Sequence, residues 1–326
     1  MEQPAKASVF PATDRSSWQA LLLSSGVLIV LIVGSLMFGP VALTPGQVVT
    51  GLFAPAADPP AAAIVRNLRL PRVLLAVSAG ALLGVAALLL GRLSGAQARD
   101  PGWSGVLALG ALAAVILLVA APASAGWALA LAVGAGCGLG VAALVSAHRR
   151  WPLAPRRVMA LGLALAIVAP AVAFILLIRD VRLATWVRWC LGSLEQRDWA
   201  TWQQVWPVTL LALIALAVCH MRPRMPIALG IAATLAATSA TLATGAIGLI
   251  GWLAGRRASL LSLSSGWQLV LAAIIGATFL LGADLIARGL TALLPSLGLI
   301  SEAPVGAFLV VASLMVGAAT FRRRRA

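Results

Sequence analysis

The sequence predicts an all-α polytopic membrane protein of about ten transmembrane helices, on three observations. Hydrophobic residues make up 61% of the 326-residue chain, charged residues only 10%, and mean hydropathy is +1.02, outside the range of water-soluble domains. The apolar residues come in repeated runs of the length that crosses a bilayer, about 20 helical residues for a core of about 30 Å. The charges fall between those runs, largely as short arginine clusters. The lipid bilayer is thus the expected solvent.

Met1 to Ser17 is a polar tail with Lys6 and Arg15, and Trp18 to Phe38 makes the first span. A cleavable signal has an apolar region of only about 7–15 residues, so the N-terminus is expected to stay attached. The expected organisation is a cytoplasmic tail over 1–17, a transmembrane domain over 18–320 and a basic cytoplasmic C-terminus over 321–326. Gly39-Pro40-Val41-Ala42-Leu43-Thr44-Pro45-Gly46, followed by the breakers between Ala54 and Pro60, predicts a loop outside the hydrocarbon.

Further spans are predicted at Val73 to Leu90, Gly102 to Ala120, Trp127 to Ala147, Val158 to Ile178, Trp202 to Cys219 and Pro226 to Thr244. A short Gly-rich run at Ile247 to Ala254 follows, then Trp267 to Leu290 and Val305 to Thr320. Trp186, Trp189, Trp199, Trp202 and Trp206 lie near span ends, where amphipathic rings settle at the interface. Gly134 to Gly140 and Ala232 to Gly245 are dense in small residues and suit close helix packing.

Orientation follows from the basic residues. With the N-terminus inside, the inner segments hold Lys6, Arg15, Arg92, Arg99, Arg149, Arg150, Arg156, Arg157, Arg222, Arg224, Arg256, Arg257 and Arg322 to Arg325, sixteen of the 24. Both termini are therefore expected in the cytoplasm. Arg66, Arg69, Arg72, Arg179, Arg182, Arg188, Arg197 and Arg288 remain at the outer side, against the rule.

Among these, Leu68-Arg69-Leu70-Pro71-Arg72 stands directly before the Val73 run. Two arginines at a span end either anchor the helix among headgroups or, held by the proline, offer planar forks of donors to carboxylates. Their outer position favours the second. Asp284 is an acid deep in a late span with Arg288 one turn on; an i, i+4 pair that neutralises itself is the favoured reading for Asp284, with Arg288 left open to a second role.

Cys137, Cys190 and Cys219 sit singly, and His148 and His220 are isolated, so no disulfide, metal site or cofactor is expected. The net charge of +15 is not read as nucleic-acid binding, because the arginines lie between apolar runs with few aromatics interleaved. No Cys/His pair, carboxylate cluster or phosphate-cradling loop points to an enzyme.

Several motifs, taken in order, resemble the FecCD family of ABC importer permeases, membrane subunits for ferric siderophores, haem and cobalamin. Gly39 to Gly46 is similar to its first outer loop, and Arg69-Leu70-Pro71-Arg72 with Gly80-Ala81 to its second-helix signature. Asp100-Pro101-Gly102 with Gly105-Val106 and Gly110-Ala111 resembles the start of its third helix. Trp189 with Leu191-Gly192-Ser193-Leu194 and Trp199 resembles its W-x-x-G-S-L segment. Gly245 to Gly251, Ala283 to Arg288 and Glu302-Ala303-Pro304-Val305-Gly306 resemble three C-terminal signatures.

The resemblance implies a ten-helix siderophore or cobalamin permease-like bundle in a bacterial inner membrane. It further implies a second permease subunit around a central pathway, two ATPase subunits inside that bind the ATP, and a periplasmic binding protein outside. That binding protein's carboxylates would meet Arg69, Arg72 and Arg288. A ferric siderophore is the first candidate substrate.

The departures matter as much. Gly91 and Gly95-Ala96-Gln97-Ala98-Arg99 replace the family's Gln and R-N-P-L-A; Ala254-Gly255-Arg256 replaces its V-P-H; and Leu309 to Met315 lacks its T-A-x-x-G-A-P. Between the sixth and seventh spans the family carries a G-E-x-x-A-R-x-L-G segment that rests on the ATPase, whereas here Arg222-Pro223-Arg224-Met225 joins them directly. The expectation is one half of a heterodimeric permease, with Arg222, Arg224, Arg256 and Arg257 as residual ATPase-side contacts. A degenerate or regulatory membrane subunit is the alternative, and an ion-coupled carrier, which would want more buried acids, a weaker one.

Overall fold

The computed structural model describes residues 15–39, 41–124, 126–178, 192–194, 197–221, 225–261 and 264–293, and among these every regular element is helical. In chain order they are α1 (Arg15–Met37), α2 (Pro45–Phe53), α3 (Pro59–Ala63), a π-helical stretch (Ile64–Arg69), α4 (Leu70–Leu93), α5 (Val106–Ala120) and α6 (Gly126–Arg150). Then come α7 (Pro155–Leu177), α8 (Trp199–Met221), α9 (Pro226–Thr244), α10 (Ile250–Ser259) and α11 (Ser265–Leu293). Seven spans among the described residues are long and apolar enough to cross a membrane, and α5 is a shorter apolar helix. The expected span at Val305 to Thr320, the C-terminal tail, residues 1–14 of the N-terminal tail, and Arg222 and Arg224 lie outside the described residues, while Arg15 to Ser17 of that tail already belong to α1.

The bundle is arranged around α4, which packs against α9, α10 and α11, while α5 packs on α6 and α7, α8 on α9, and α1 on α11. Some 78% of the most apolar window of Pro59–Leu93 is buried, against 17% for α1 and for α8, so α4 is the hub and the others form its wall. The exposed faces of the wall are apolar: Leu22 and Val30 on α1, Ile175 on α7 and Ile227 on α9 all point outward. Such a surface suits lipid and not water.

Small residues set the spacing at the hub. Gly80 and Gly84 on α4 face Gly276 and Ala272 on α11 so closely that a Cβ at Gly80 would lie 2.8 Å from Ala277 Cα, and one at Gly84 2.8 Å from the carbonyl carbon of Ala272. Gly140 does the same on α6, 2.7 Å from Val106 Cα of α5. In lipid, where apolar burial between helices gains little, this contact between backbones holds the bundle.

Two elements differ from the sequence expectation. The predicted outer loop contains α2, whose N-terminus carries a capping box: Gln47 N–H donates to the Thr44 hydroxyl and Thr44 N–H to Gln47 Oε1. The second span does not begin at Val73 but at Pro59, running through Pro71 by way of the π-helical stretch. Leu70 N–H donates to Val65 O, five residues back. Pro71 has no N–H to continue that pattern, and Arg66 O, its counterpart, instead accepts from the Trp199 indole at 2.8 Å.

The third span and the short Gly-rich run also shift. After α4 the chain folds back along it, with Arg99 N–H donating to Ala87 O at 2.9 Å, so Asp100 to Gly105 lies well inside the bundle before α5 begins at Val106. Gly251, at the start of α10, sits against Leu83 O and Pro101 Cδ. Leu83 is ten residues from the end of α4, about 15 Å along the axis, or half of a hydrocarbon core of about 30 Å. α10 therefore begins at half depth and is too short to cross. Non-helical backbone is tolerable there because it is enclosed by protein.

Candidate functional site

The sequence-predicted docking arginines come together at one end of the bundle, and each guanidinium is engaged inside the chain. Arg69, on the π-helical stretch, is 7% exposed. It donates to Leu36 O at 2.5 Å, Met37 O at 2.8 Å and Val41 O, which are carbonyls at the C-terminus of α1 and just beyond. Arg288 reaches the same helix end, donating to Ser35 O at 3.3 Å, Phe38 O at 3.0 Å and the Ser35 hydroxyl at 2.5 Å. Arg66 closes the neighbouring end, donating to Gly51 O at 3.0 Å and to Leu52 O, the last carbonyls of α2. The final carbonyls of a helix have no partner within it, and a cation there also offsets the helix dipole.

Asp284 is fully buried and sits between two of these arginines. Arg72 donates Nη2 to Asp284 Oδ1 at 2.6 Å and Nε to the same oxygen at 3.1 Å, while Arg288 Nη2 lies 3.1 Å from Oδ2. The pairing joins α4 to α11 across 212 positions of sequence. The Arg72 side chain keeps 25% of its surface exposed and that of Arg288 16%, so Arg72 is the more open of the pair.

Arg197 and Asp198 complete this end ahead of α8. Burial and the nearby Arg72 charge pull the Arg197 guanidinium down to about 10, with Asp198 opposing, and it donates to Ser193 O at 3.4 Å. Asp198 caps α8: Thr201 N–H and hydroxyl both donate to Oδ1 at 2.9 Å, which holds its carboxyl below the ordinary range. Asp284 thus answers Arg72 and Arg288, and Asp198 answers Arg197, while Arg66 and Arg69 are held by carbonyls.

A second centre lies at half depth, and sequence reasoning missed it. Asp100, 4% exposed, accepts from Trp103 N–H at 2.9 Å and from Trp252 N–H at 3.1 Å. Trp252 is in the first turn of α10, whose own cap position, Leu249, has φ +77° and no side-chain acceptor. Asp100 supplies from another element the acceptor that α10 lacks, and its charge suits the positive end of the helix. Asp-Pro-Gly outside an apolar run was the available signal, since Asp commonly bonds backbone two or three residues on; nothing local could name α10 as the other beneficiary.

From that clamp α10 runs to the opposite end of the molecule, where Arg256 and Arg257 are exposed, with Arg256 5.3 Å from the Trp252 ring centroid. Arg92 Nη2 donates to Ser265 O at 3.1 Å at the same end, tying α4 to the start of α11. Among the described residues no three His, Cys, Asp or Glu side chains gather as a metal site would require.

A wall of apolar helices around a buried hub, with two broken segments meeting at half depth, defines a multi-pass membrane protein whose enclosed non-helical backbone is of a kind common in transporters. The profile of the FecCD transport family matches residues 27–223, and the chain belongs to that family, an ABC transporter permease. Permeases of this class work with a partner permease and with ATPase subunits. The fold is shared with a solved structure assigned to the metal-chelate type of ABC transporter in an inward-facing conformation. The two chains are 20% identical, with a TM-score of 0.69 over 93% of this chain and 99% of the other. No curated protein matches.

Proposed function

We propose that this chain is one half of a heterodimeric permease in an ABC importer of the bacterial inner membrane, with its termini in the cytoplasm and a metal chelate as substrate. A ferric siderophore is the first candidate, with haem and cobalamin behind it; the metal-chelate assignment of the solved structure supports that class. The observation that carries the heterodimer is the junction of α8 and α9. α8 ends at Met221 and α9 begins at Pro226, leaving room only for Arg222 to Met225, and the family profile stops matching at residue 223. A nucleotide-driven change moves a permease only through contacts that differ between two states, so the partner must supply the contact this chain lacks.

Arg256 and Arg257, on the exposed end of α10, with Arg222 and Arg224 in the short junction, are the residual ATPase-side contacts. On the outer face a binding protein docks over Arg69, Arg72 and Arg288. All three are already engaged within the chain, and Arg72, paired with Asp284 but the most exposed of them, contributes most; its contact steers encounter and fixes register more than it adds affinity.

The test is a pull-down of the tagged chain in mild detergent, with mass spectrometry of the co-purifying proteins. A second permease bearing a coupling segment, together with an ATPase, supports the heterodimer. The same missing segment favours a second reading, a regulatory membrane subunit, and recovery of the chain alone or as a self-dimer without ATPase would select it. Reconstituted with an ATPase but no partner permease, the chain is expected to give no binding-protein-stimulated ATP hydrolysis; stimulation would refute the proposal.

A further inference from the structure

We infer that the groove between α6 and α9 binds one anionic phospholipid, with an acyl chain along its walls and the phosphate at Arg149. The groove has a volume of about 470 Å³ and is walled by Gly138 and Val141 of α6 and by Ile227, Gly230 and Ile231 of α9. It exists because two of those positions are glycine: a Cβ at Gly230 would meet nothing within 4 Å, and one at Gly138 would reach only the Thr234 methyl at 3.6 Å. Nearer half depth the helices close up, where the Cys137 thiol lies 3.8 Å from the Thr241 hydroxyl.

Length and charge name the occupant. Along α6 from Gly138 to Arg149 the groove runs about 16 Å, close to one leaflet of a hydrocarbon core of about 30 Å. It ends at the last turn of α6, where Arg149 and Arg150 are exposed at headgroup level. Arg149 makes no hydrogen bond or ion pair with any described residue, so its guanidinium is free for a phosphate. The walls are otherwise apolar, and Thr234 O already accepts from the Thr238 hydroxyl at 2.7 Å. A long apolar chain with a negative head at one end matches that arrangement.

The experiment is native mass spectrometry of the full chain in mild detergent, incubated with dioleoyl phosphatidylglycerol or with dioleoyl phosphatidylcholine, lipids with the same chains and different head charge. Wild type is expected to retain the anionic lipid roughly five-fold better, the preference one basic residue confers at a headgroup. Arg149→Gln should reduce that retention to the level of phosphatidylcholine. Gly230→Leu, which fills open space and should not lower the unfolding temperature, should lower retention of both lipids. Equal retention of the two lipids by wild type, or adducts unchanged in Gly230→Leu, would overturn the inference. So would loss of a self-dimer in Gly230→Leu with lipid retention intact, which would give the groove to a second copy.

Discussion

At the scale of single residues, the arginines clustered at one end of the bundle have a structural occupation. Arg66, Arg69 and Arg288 each close a helix end whose carbonyls would otherwise be stranded near the hydrocarbon. The sequence shows where such cations are but not which carbonyls they reach, because Arg69 meets Leu36 and Met37 only through tertiary packing. Arg69→Ala is expected to cost about 2–3 kcal/mol through orphaned carbonyls, read as a lower melting temperature in detergent. Arg69→Lys should recover only part, since an ammonium lacks the fork that spans three acceptors. Asp284→Asn should be worse, about 3–5 kcal/mol, because two arginines lose their buried counter-charge. The i, i+4 pairing of Asp284 with Arg288 could be read from spacing, whereas the shorter contact with Arg72 could not. At Asp198 the native carboxyl lies below its unfolded value of 3.8, so its contribution is full above that value and fades as pH falls through the lowered one. The protection of the Thr201 amide, its exchange rate relative to that of an unfolded peptide at the same pH, should fall in that acidic range and stay flat near neutrality.

Among the elements, apolar run length locates the long spans well, and fails where the backbone breaks inside the bundle. Val158 to Ile178 and Pro226 to Thr244 fall within a few residues of α7 and α9, since a lipid-facing helix must be apolar along its length. Gly102 to Ala120 and Ile247 to Ala254 are misplaced at their starts because the turn at Asp100 to Gly105, apart from the half-exposed Trp103, and the strained Leu249 are themselves buried, and burial makes a loop look like a span. Pro71 reads as a beginning, whereas the π-helical stretch and the Trp199 indole carry the helix through it. Asp100→Ala should release the Trp103 and Trp252 amides, seen as faster hydrogen exchange at the start of α10 and a loss of about 1–2 kcal/mol. Gly84→Ala should push α4 from α11 and cost about 1–3 kcal/mol, while Gly230→Ala, facing open space, should be neutral or raise stability by up to about 1 kcal/mol. Equal melting shifts for the two glycines would contradict the packing described.

For the whole molecule, composition alone gives the class and ordered motifs give the family, while the partners and cargo stay with the proposal. The family profile stops matching at residue 223, inside the short α8–α9 junction, while the fold match to the solved structure continues over 93% of the chain. Inserting a G-E-x-x-A-R-x-L-G segment between Met221 and Pro226 should give a self-dimer some ATPase stimulation; an insertion variant that folds and still gives none would place the coupling defect elsewhere. The position of α10 has a mechanical consequence. One of its ends is exposed and cationic at a membrane surface, and the other is clamped by Asp100 in the middle of the bilayer beside a backbone held at positive φ. A push on Arg256 and Arg257 is therefore not transmitted to the far face. It arrives halfway, at the Asp100 clamp beside the positive-φ Leu249, where the backbone of the bundle is broken.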